Sequence, residues 1–576
     1  MQLTHNTKQL AKMKKICILV LLISSGLASF AQGKDTLNLH WCDPLPKDIY
    51  KREQLVSLSI INGMGFCESQ PKTLGPKIAN LKNLRSLYYT SDFINDFASL
   101  PAEIGQLSQL EYLSTTSIIP EIARLVNLKE LDLRVISDED AAVLGKIDFS
   151  HFSKLETLSL TINSDIKSKN IELIGLENLK QLKTVSLVKP SDKVLESVLQ
   201  LSQLESLQIS DSLVLDDNAF AQLSHLKILN LRGSMIGRIP SSMMELSELE
   251  QLNLSGNLLT ELPKEVGQLS ELKVLDLEYN QLTRLPGEIG QLSQLVEFEL
   301  GSNKITALPW EIGQLSQLKS LNLRANDLQS LPKSIGQMSA LKEFRVDGNP
   351  KLEEVPESIG QLQNLEDLML GGCSLTSIPT TLLDLKNLVH LGLSHNQLTT
   401  LPEGWEKLQK LETIYLSNNK LTTLPPSFSQ MGALKSLNIE ENDLQNFGPS
   451  IKGLRSLETL VARDNQLTVL PEDIGELQNL KHLSLYFNQL TRVPESLVNL
   501  SKLEFMYLSH NKIEVLPEDW SKMETLDALE VHDNPFTKIP DSILEMPKIG
   551  RIWYSPNQLY NKEIVESNNG PYMIRQ

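Results

Sequence analysis

A segment of 23 residues recurs along most of the chain, and it constrains the fold more than any other feature of the sequence. The segment LPGEIGQLSQLVEFELGSNKITALP at 285–309 is followed at once by WEIGQLSQLKSLNLRANDLQSLP, and the frame LxxLxLxxNxL returns throughout. Fifteen such frames begin between Leu226 and Ile549, all 23 residues apart except the step from Leu341 to Leu365, which is 24. A period of this length predicts a solenoid in which each repeat forms one coil.

The spacing of leucines within a frame predicts how each coil is built. Frame positions 3 to 7 alternate between leucine and other residues, a period of two that is typical of a strand with one buried face. We therefore expect positions 1, 4, 6 and 11 to lie in the core and positions 3, 5, 7 and 8 to face outward. Strands of successive coils should pair in parallel, with equal frame positions stacked about 4.8 Å apart.

Asparagine at frame position 9 is expected to turn the chain after each strand. Its side-chain amide can bond backbone groups that would otherwise be buried without a partner, at a cost of about 1–3 kcal/mol each. Cys373 and Ser234 occupy the same position, which favours a structural role for Cys373 over a reactive thiol. In the LTxLPxxIGxL segment that follows, proline blocks continuation of the strand, and apolar residues anchor a short turn or helix.

The motif LPxxIGxLxxLxxLxLxxNxL resembles the 23-residue leucine-rich repeats of Ras-group and Scribble-type scaffolds and of many bacterial surface proteins. The resemblance covers residues 226–559. It implies an α/β solenoid, a horseshoe with a parallel sheet on its concave face and short turns or helices on its convex side, and it implies that the concave face binds other proteins. Plant receptor repeats differ, because they carry LxGxIP where this chain has LTxLP.

Less regular frames precede the regular ones. They begin at Leu84, Leu110, Leu128, Leu155, Leu182 and Leu204, and the steps from Leu110 onward are 18, 27, 27 and 22 residues. We expect longer convex helices in the 27-residue units, and we expect an earlier frame at Leu55 to begin the sheet. The predicted organisation is a signal peptide (1–31), an N-terminal cap and first coil (32–83), irregular repeats (84–225), regular repeats (226–559) and a C-terminal tail (560–576).

The N-terminal segment has the pattern of a secretory leader. Three lysines precede the apolar run ICILVLLISSGLASFA, which is about as long as the apolar part of a signal peptide and too short to span a membrane comfortably. The small residues Ser29 and Ala31 predict cleavage before Gln32. We therefore predict a secreted or cell-envelope protein with no stable membrane span after cleavage; either Met1 or Met13 is the start.

Two cysteines near the predicted cap are candidates for a disulfide. Extracellular caps of such repeats commonly hold four cysteines, whereas only Cys42 and Cys67 lie near this one. If they are bonded, the bridge would stabilise the cap by about 3 kcal/mol. Whether the pair is bonded stays open from the sequence.

Composition and motifs argue against nucleic-acid binding and against catalysis. A formal net charge of −17 disfavours binding to nucleic acid, because the phosphates of nucleic acid are also negative. The sequence contains no G-x-S-x-G, H-E-x-x-H, phosphate-loop or kinase motif and no C-x-x-C pair. We therefore predict a protein that is not an enzyme and that needs no cofactor, with a catalytic site hidden on the concave face as the competing class.

The outward positions of the last coils carry an unusual concentration of aromatic side chains, histidine and arginine. Tyrosine, tryptophan and arginine dominate the binding energy of protein interfaces, so these side chains predict a partner-binding surface. We call the following ten residues the C-terminal patch: Arg463, His482, Tyr486, Phe487, Phe505, Tyr507, His510, His532, Arg551 and Trp553.

Two alternatives to this interpretation stay open. In the first, the aromatic side chains stack only for packing, and His510 pairs with Asp533. In the second, His510, His532 and Asp533 bind a metal ion, although they lack the fixed sequence spacing of metal ligands; we predict no metal site on that ground. A separate acidic area at Asp276, Glu278, Glu297 and Glu299 could favour a basic partner, or it could be an ordinary solvated face.

The sequence thus predicts an exported scaffold or receptor-like module that binds a protein through the concave face. The first alternative is a surface adhesin that binds glycan or a second copy of itself, because glycan sites also use exposed aromatic side chains. An enzyme is the remaining class.

Overall fold

The chain divides into two units, Met1–Leu258 and Leu259–Gln576. The computed structural model describes residues 35–40, 45–62, 74–91, 99–164, 166, 171–546 and 548–554. The predicted signal peptide, both cysteines of the candidate disulfide and the predicted C-terminal tail lie outside the described residues.

Each described strand of the first unit pairs in parallel with the next one along the chain. The strands are β1 (Thr36–His40), β2 (Ser57–Asn62), β3 (Ser86–Ser91), β4 (Tyr112–Thr115), β5 (Glu130–Val135), β6 (Thr157–Ile162), β7 (Thr184–Val188), β8 (Ser206–Ser210), β9 (Ile228–Asn230) and β10 (Gln251–Asn253). Two α-helices, α1 (Asp138–Leu144) and α2 (Asp192–Val198), lie between strands. The 3-10 helices span Ile49–Lys51, Pro76–Asn80, Ala102–Gln106, Pro120–Arg124, Phe149–His151, Leu176–Asn178 and Ser241–Glu245.

The sheet of the first unit begins earlier than the sequence predicted. β1 pairs with β2 in the register Thr36 to Ser57, so the expectation that the frame at Leu55 begins the sheet is wrong. The segment TLNLH has the same alternation of leucine with polar residues as the later strands, and this alternation is the signal that the prediction overlooked. The 18-residue step keeps a regular register, because Tyr112 pairs with Glu130.

Helix placement in the first unit follows capping residues rather than coil length. The first 27-residue unit contains α1, but the described part of the second has only the 3-10 helix Leu176–Asn178, and α2 lies in the 22-residue unit. Both α-helices start at a serine whose hydroxyl accepts a backbone N–H of the first turn, Ser137 from Asp140 and Ser191 from Val194. Such a cap stabilises a helix by about 1 kcal/mol, so the expectation that both 27-residue units would carry longer helices holds only for the first.

The second unit has shorter and more uniform elements. Its strands are β11 (Val274–Asp276), β12 (Glu297–Glu299), β13 (Ser320–Asn322), β14 (Glu343–Arg345), β15 (Asp367–Met369), β16 (His390–Gly392), β17 (Thr413–Tyr415), β18 (Ser436–Asn438), β19 (Thr459–Val461), β20 (His482–Ser484), β21 (Phe505–Tyr507), β22 (Ala528–Glu530) and β23 (Arg551–Trp553). Each pairs in parallel with the next. The helix α3 (Asp541–Leu544) precedes β23. The 3-10 helices span Lys264–Gln268, Gly287–Gln291, Trp310–Gln314, Lys333–Gln337, Glu357–Gln361, Thr380–Asp384, Trp405–Lys407, Pro426–Gln430, Gly448–Ile451, Glu472–Glu476 and Glu495–Asn499.

The core of the second unit is made of the frame leucines, as predicted. In the coil that begins at Leu318, the side chains at frame positions 1, 4, 6 and 11 (Leu318, Leu321, Leu323 and Leu328) are fully buried. Each buried leucine contributes about 1.5–3 kcal/mol. Ser320 and Asn322, at positions 3 and 5, stay partly exposed, so one side of each strand faces the core and the other faces solvent.

Asparagine at frame position 9 forms the predicted ladder of buried hydrogen bonds. The Nδ2 of Asn326 donates to the carbonyl oxygens of Leu300 at 2.9 Å and Leu323 at 3.0 Å, and its Oδ1 accepts the N–H of Ile305 at 3.0 Å. The amide therefore joins its own coil to the preceding one. Each of the following residues also accepts a backbone N–H from the preceding coil: Asn280, Asn303, Asn349, Asn396, Asn419, Asn442, Asn465, Asn488, Asn511 and Asn534.

The residue before this asparagine is left-handed in every described coil of the second unit. The φ values at frame position 8 include 53° at Ala325, 54° at Phe487, 52° at His510 and 53° at Asp533, and glycine occupies the position at Gly348. An L-residue in this conformation costs about 1–2 kcal/mol. The hydrogen bonds of the asparagine ladder therefore hold a turn that most of these side chains would not adopt alone.

The 24-residue coil lies directly before the coil that has Cys373 at frame position 9. The sulfur of a thiol at position 9 is a weaker acceptor than an asparagine oxygen, and the backbone N–H of Leu352 bonds to the carbonyl oxygen of Asn349 at 3.0 Å. The extra residue between Asn349 and Leu352 makes room for this local turn. Burial raises the pKa of the Cys373 thiol to about 11, so the thiol stays protonated at neutral pH, in agreement with a structural role.

Candidate binding surface

The C-terminal patch lies on the solvent-facing side of β19 to β23 and of the turns that follow these strands. The pairing aligns Thr459, His482, Phe505, Ala528 and Arg551 at frame position 3. Position 5 aligns Val461, Ser484, Tyr507, Glu530 and Trp553 in the same way. The register that leucine spacing predicted for these strands is therefore the register of the fold.

Five of the ten patch residues form one continuous row at frame positions 7 and 8. The Arg463 guanidinium lies 5.5 Å from the ring centre of Tyr486, and Tyr486 lies 5.5 Å from Phe487. Phe487 stacks on His510 with ring centres 4.1 Å apart and planes 4° apart. His510 meets His532 edge to face at 4.9 Å. The row presents aromatic faces and edges across four neighbouring coils.

The other patch residues lie outside this row. His482 stacks on Phe505 at 4.7 Å with planes 3° apart, and the guanidinium of Arg551 lies 5.6 Å from the ring of Trp553. Tyr507 occupies position 5, beside Glu530. The folded chain thus gathers the predicted residues into one row, two stacked pairs and a tyrosine, all on the same side of neighbouring strands.

Stacking leaves most of the patch only partly exposed. Phe487 keeps 46% of its surface exposed, whereas His482, Phe505 and Tyr507 are intermediate in burial. Burial lowers the pKa of His482 and raises the pKa of Tyr507, so both rings are neutral at neutral pH. Rings that stacking already holds in place lose little side-chain entropy when they bind a partner.

Three acidic residues that the sequence analysis did not assign to the patch surround Arg463. Its guanidinium pairs with Glu440 at 2.5 Å, with Asp464 at 2.7 Å and with Glu441 at 3.3 Å. Glu440 and Glu441 occupy frame positions 7 and 8 of the coil that precedes the patch. Extending the same columns by one coil would have found them, and the charge of Arg463 is largely balanced within the protein.

The two histidines at the end of the row lie beside carboxylates. His510 Nδ1 is 3.1 Å from Asp533 Oδ2, which is the pair expected in the first alternative interpretation. His532 Nδ1 is 3.5 Å from Glu530 Oε1, and its Nε2 is 4.0 Å from Asp533 Oδ2. Glu530 was not among the predicted site residues, although it occupies position 5 next to Tyr507.

The acidic area in the middle of the second unit centres on Glu299. Asp276 and Glu299 are aligned neighbours on β11 and β12, and Glu278 accepts a hydrogen bond from Asn322 Nδ2 at 2.8 Å. Burial, reinforced by the nearby carboxylates, raises the pKa of Glu299 to about 7. Glu299 is therefore partly protonated at neutral pH, and this area has less negative charge than its composition indicates.

We expect Glu299→Gln to stabilise the protein at pH 8 and to have little effect near pH 4. Because the folded state raises the pKa of Glu299 from 4.5 to about 7, its contribution to stability is complete below about pH 4.5 and is lost as the pH rises through 7. Glutamine keeps the shape without the charge, and contact with solvent limits the gain to about 1–2 kcal/mol. Denaturant unfolding at pH 8 and near pH 4 measures this difference in the free energy of unfolding.

Glu261→Gln is the control, because its side chain is 72% exposed and its ion pair with Arg284 at 3.9 Å is of the exposed kind that contributes little to stability. This variant should have wild-type stability at both pH values. A gain at pH 8 for Glu261→Gln that equals the gain for Glu299→Gln would assign the effect to net charge.

A cavity of about 310 Å³ in the first unit is lined by Lys180, Lys183, Gln203, Glu205, His225, Lys227 and Glu248. Its charges pair with each other: Glu205 lies 2.8 Å from Lys183 and 3.3 Å from Lys227, and these ammonium groups hold the pKa of Glu205 below its ordinary value. The charged groups of this cavity thus form exposed ion pairs with one another, and we do not assign a ligand to it.

None of the described helices has both the length and the apolar composition required to cross a membrane. Parallel strands joined by short turns, an asparagine ladder and a solvent-facing side rich in aromatic residues define a solenoid repeat protein. Models of leucine-rich repeats match residues 387–444 and 455–513, and models of a leucine-rich repeat region match residues 215–303 and 298–390. The chain belongs to the leucine-rich repeat family, as the sequence resemblance predicted.

Solved structures agree with this assignment. A leucine-rich repeat protein of Leptospira interrogans is 34% identical, with a TM-score of 0.56 over 65% of this chain and 92% of that one. The plant peptide hormone receptor RGFR1, solved with RGF2, is 22% identical, with a TM-score of 0.60 over 94% of this chain and 95% of that one. Toll of Drosophila, solved with Spatzle, is 22% identical, with a TM-score of 0.59 over 74% of this chain and 57% of that one. The last two show likeness of fold alone, and a search of curated proteins finds no match.

Proposed function

We propose that this chain is an exported, non-catalytic binding protein whose C-terminal patch holds a protein or peptide segment. The observation that carries the proposal is the row Arg463, Tyr486, Phe487, His510 and His532, which places a cation and four aromatic rings in contact across neighbouring coils. Aromatic side chains and arginine are enriched among the residues that dominate interface energies. Their mutual stacking also orders them before a partner arrives.

The comparisons support a protein partner rather than a small substrate. Two structurally similar proteins were solved in complexes, the receptor RGFR1 with RGF2 and Toll with Spatzle. Their identity of 22% shows the fold only, so the kind of partner comes to this chain by analogy.

Charge around the patch indicates what kind of segment would fit. The carboxylates of Glu440, Glu441 and Asp464 surround Arg463, Asp527 pairs with Arg551 at 3.1 Å, and Glu530 and Asp533 lie beside the histidines. Acidic groups therefore outnumber the two arginines. A segment that carries lysine or arginine next to apolar anchors would match both the charge and the exposed rings.

Export is the second part of the proposal, and it rests on the N-terminal leader pattern. The protein purified from the culture medium or the envelope of its source should begin near Gln32, and N-terminal sequencing measures this directly. An intact leader on cytosolic protein would contradict export and would also argue against a Cys42–Cys67 bridge, because cytosolic thiols stay reduced.

We expect Tyr507→Ala to weaken partner binding by about 2 kcal/mol or more, which is about 30-fold, because Tyr507 lies near the centre of the patch. Peptides selected from a random library on the wild-type protein provide the probe, and fluorescence polarisation measures their affinity. The free energy of unfolding should change little, since frame position 5 points away from the core.

Tyr415→Ala is the matched control, because Tyr415 occupies the same frame position on β17 and lies outside the patch. It should bind the selected peptides like the wild type. If Tyr507→Ala and Phe487→Ala bind normally while Glu299→Gln abolishes binding, the acidic area is the site instead. Binding to a glycan array without any peptide selection would favour the adhesin class, and a dimer in sedimentation would favour self-association.

A further inference from the structure

We propose that His510, His532 and Asp533 form a binding site for a divalent transition-metal ion such as zinc. The three residues offer one ligand atom each, and these atoms lie within 4.8 Å of one another. The sequence raised this site only as an alternative to partner binding, because the residues lack the fixed spacing of metal ligands and come from two coils. Folding brings two imidazoles and a carboxylate to one place, and the inference goes beyond the proposed function because it needs no partner.

The donor atoms already approach the separations that a metal ion requires. His510 Nδ1 lies 3.1 Å from Asp533 Oδ2, and His532 Nε2 lies 4.0 Å from the same oxygen. Ligand bonds of about 2.0–2.2 Å in a tetrahedral site place donors about 3.3–3.5 Å apart. All three side chains are at least partly exposed. A small rotation of the Asp533 carboxylate, which is 55% exposed, would bring both distances closer to this range.

The backbone under two of the ligands is held by the asparagine ladder. His510 and Asp533 both occupy frame position 8, with φ of 52° and 53°. Each precedes a buried asparagine, Asn511 or Asn534, whose side chain bonds to backbone groups of its own coil and of the preceding coil. The N–H of His510 donates to the carbonyl oxygen of His532 at 3.0 Å, which ties the two coils together at the site.

Groups around the ligands also suit a metal. Glu530 Oε1 lies 3.5 Å from His532 Nδ1, and a carboxylate on the far nitrogen of a ligating imidazole fixes its tautomer and raises its basicity. Phe487 stacks on the other imidazole at 4.1 Å and limits rotation of that ring. Both histidines are thus oriented by neighbours that are not themselves ligands.

The donor set selects the class of ion. Imidazole nitrogens favour zinc, copper, nickel and iron over calcium and magnesium, which prefer oxygen ligands. Two histidines and one carboxylate supply three protein ligands, and such a set leaves a further coordination position open.

Calorimetric titration of the purified protein with Zn²⁺ in a buffer that does not bind metals tests the inference. We expect one equivalent to bind. Loss of a second-shell carboxylate typically weakens metal affinity by about 10–100-fold, which is the effect expected for Glu530→Gln. His510→Ala, His532→Ala and Asp533→Asn should each lose at least as much, and Asp533→Asn protects against a folding artefact because asparagine tolerates the left-handed turn.

Two other histidines serve as matched controls. His395 also occupies frame position 8, with φ of 55°, and His482 stacks on Phe505 as His510 does on Phe487. His395→Ala and His482→Ala should bind Zn²⁺ like the wild type. Absence of Zn²⁺ binding to the wild type, or unchanged binding in both His510→Ala and His532→Ala, would overturn the metal site; the titration contains no partner, so either result leaves the proposed function untouched.

Discussion

Gly290→Ala is expected to destabilise the second unit by about 2–3 kcal/mol, because it forces an extra carbon between two tightly packed coils. A Cβ at Gly290 would lie 2.6 Å from the carbonyl oxygen of Glu311 and 2.9 Å from its Cβ. Both atoms belong to the 3-10 helix Trp310–Gln314 of the next coil. That helix cannot retreat without disturbing its buried Ile312, so the clash is relieved only by separating the coils.

Denaturant unfolding gives the overall loss, and amide hydrogen exchange in residues 286–315 shows where the coils open. Gly432→Ala is the control, because a Cβ there meets no atom within 4 Å and Gly432 lies outside the left-handed region. Its stability should stay the same or rise by less than about 1 kcal/mol through a less flexible unfolded chain. Equal losses of stability in the two variants would show that close packing against the next coil is not the reason for glycine at position 290.

Asn326→Ala should cost about 2–3 kcal/mol, since it removes the side chain that satisfies buried backbone groups in two coils. The N–H of Ile305 loses its acceptor at 3.0 Å, and the carbonyl oxygen of Leu300 loses its donor at 2.9 Å. The site is buried, since Asn326 is only 5% exposed. Because each coil is held by its neighbours, the loss should appear as faster hydrogen exchange in residues 300–326.

Asp327→Ala is the adjacent control for the ladder. Asp327 contributes an exposed ion pair with Lys351 at 2.9 Å, and such pairs contribute at most about 1 kcal/mol. The thermal midpoint of this variant should therefore lie close to the wild type. A midpoint as low as that of Asn326→Ala would contradict the role assigned to frame position 9.

Leucine spacing was sufficient to predict the strands and the buried faces of the second unit. The frame at Leu318 predicted outward residues at Ser320 and Asn322, and β13 spans Ser320–Asn322. The prediction worked because the period is constant, so every coil meets its neighbour at the same frame positions. In the first unit the steps vary. The start of the sheet at Thr36 was missed because β1 lies before the first repeat frame, and the position of α2 was missed because it depends on a serine cap.

Only part of the arrangement of the C-terminal patch could be predicted from the sequence. Alternation along the strands placed Tyr507 and Trp553 on the solvent-facing side, and the observed register agrees. Alternation carries no information on which side chains touch across coils. That Glu440, Glu441 and Asp464 pair with Arg463, and that Glu530 lies beside His532, was therefore seen only in the folded chain.

The sequence by itself determined the coil, its buried leucines and its asparagine ladder, because all three depend on contacts between fixed frame positions of one coil and of its neighbour. Tertiary structure alone decided that His510, His532 and Asp533 converge and that Phe487 stacks on His510. Those contacts depend on side-chain rotamers and on the left-handed turn at frame position 8, which are set by packing between neighbouring coils and not by the spacing of residues along the chain.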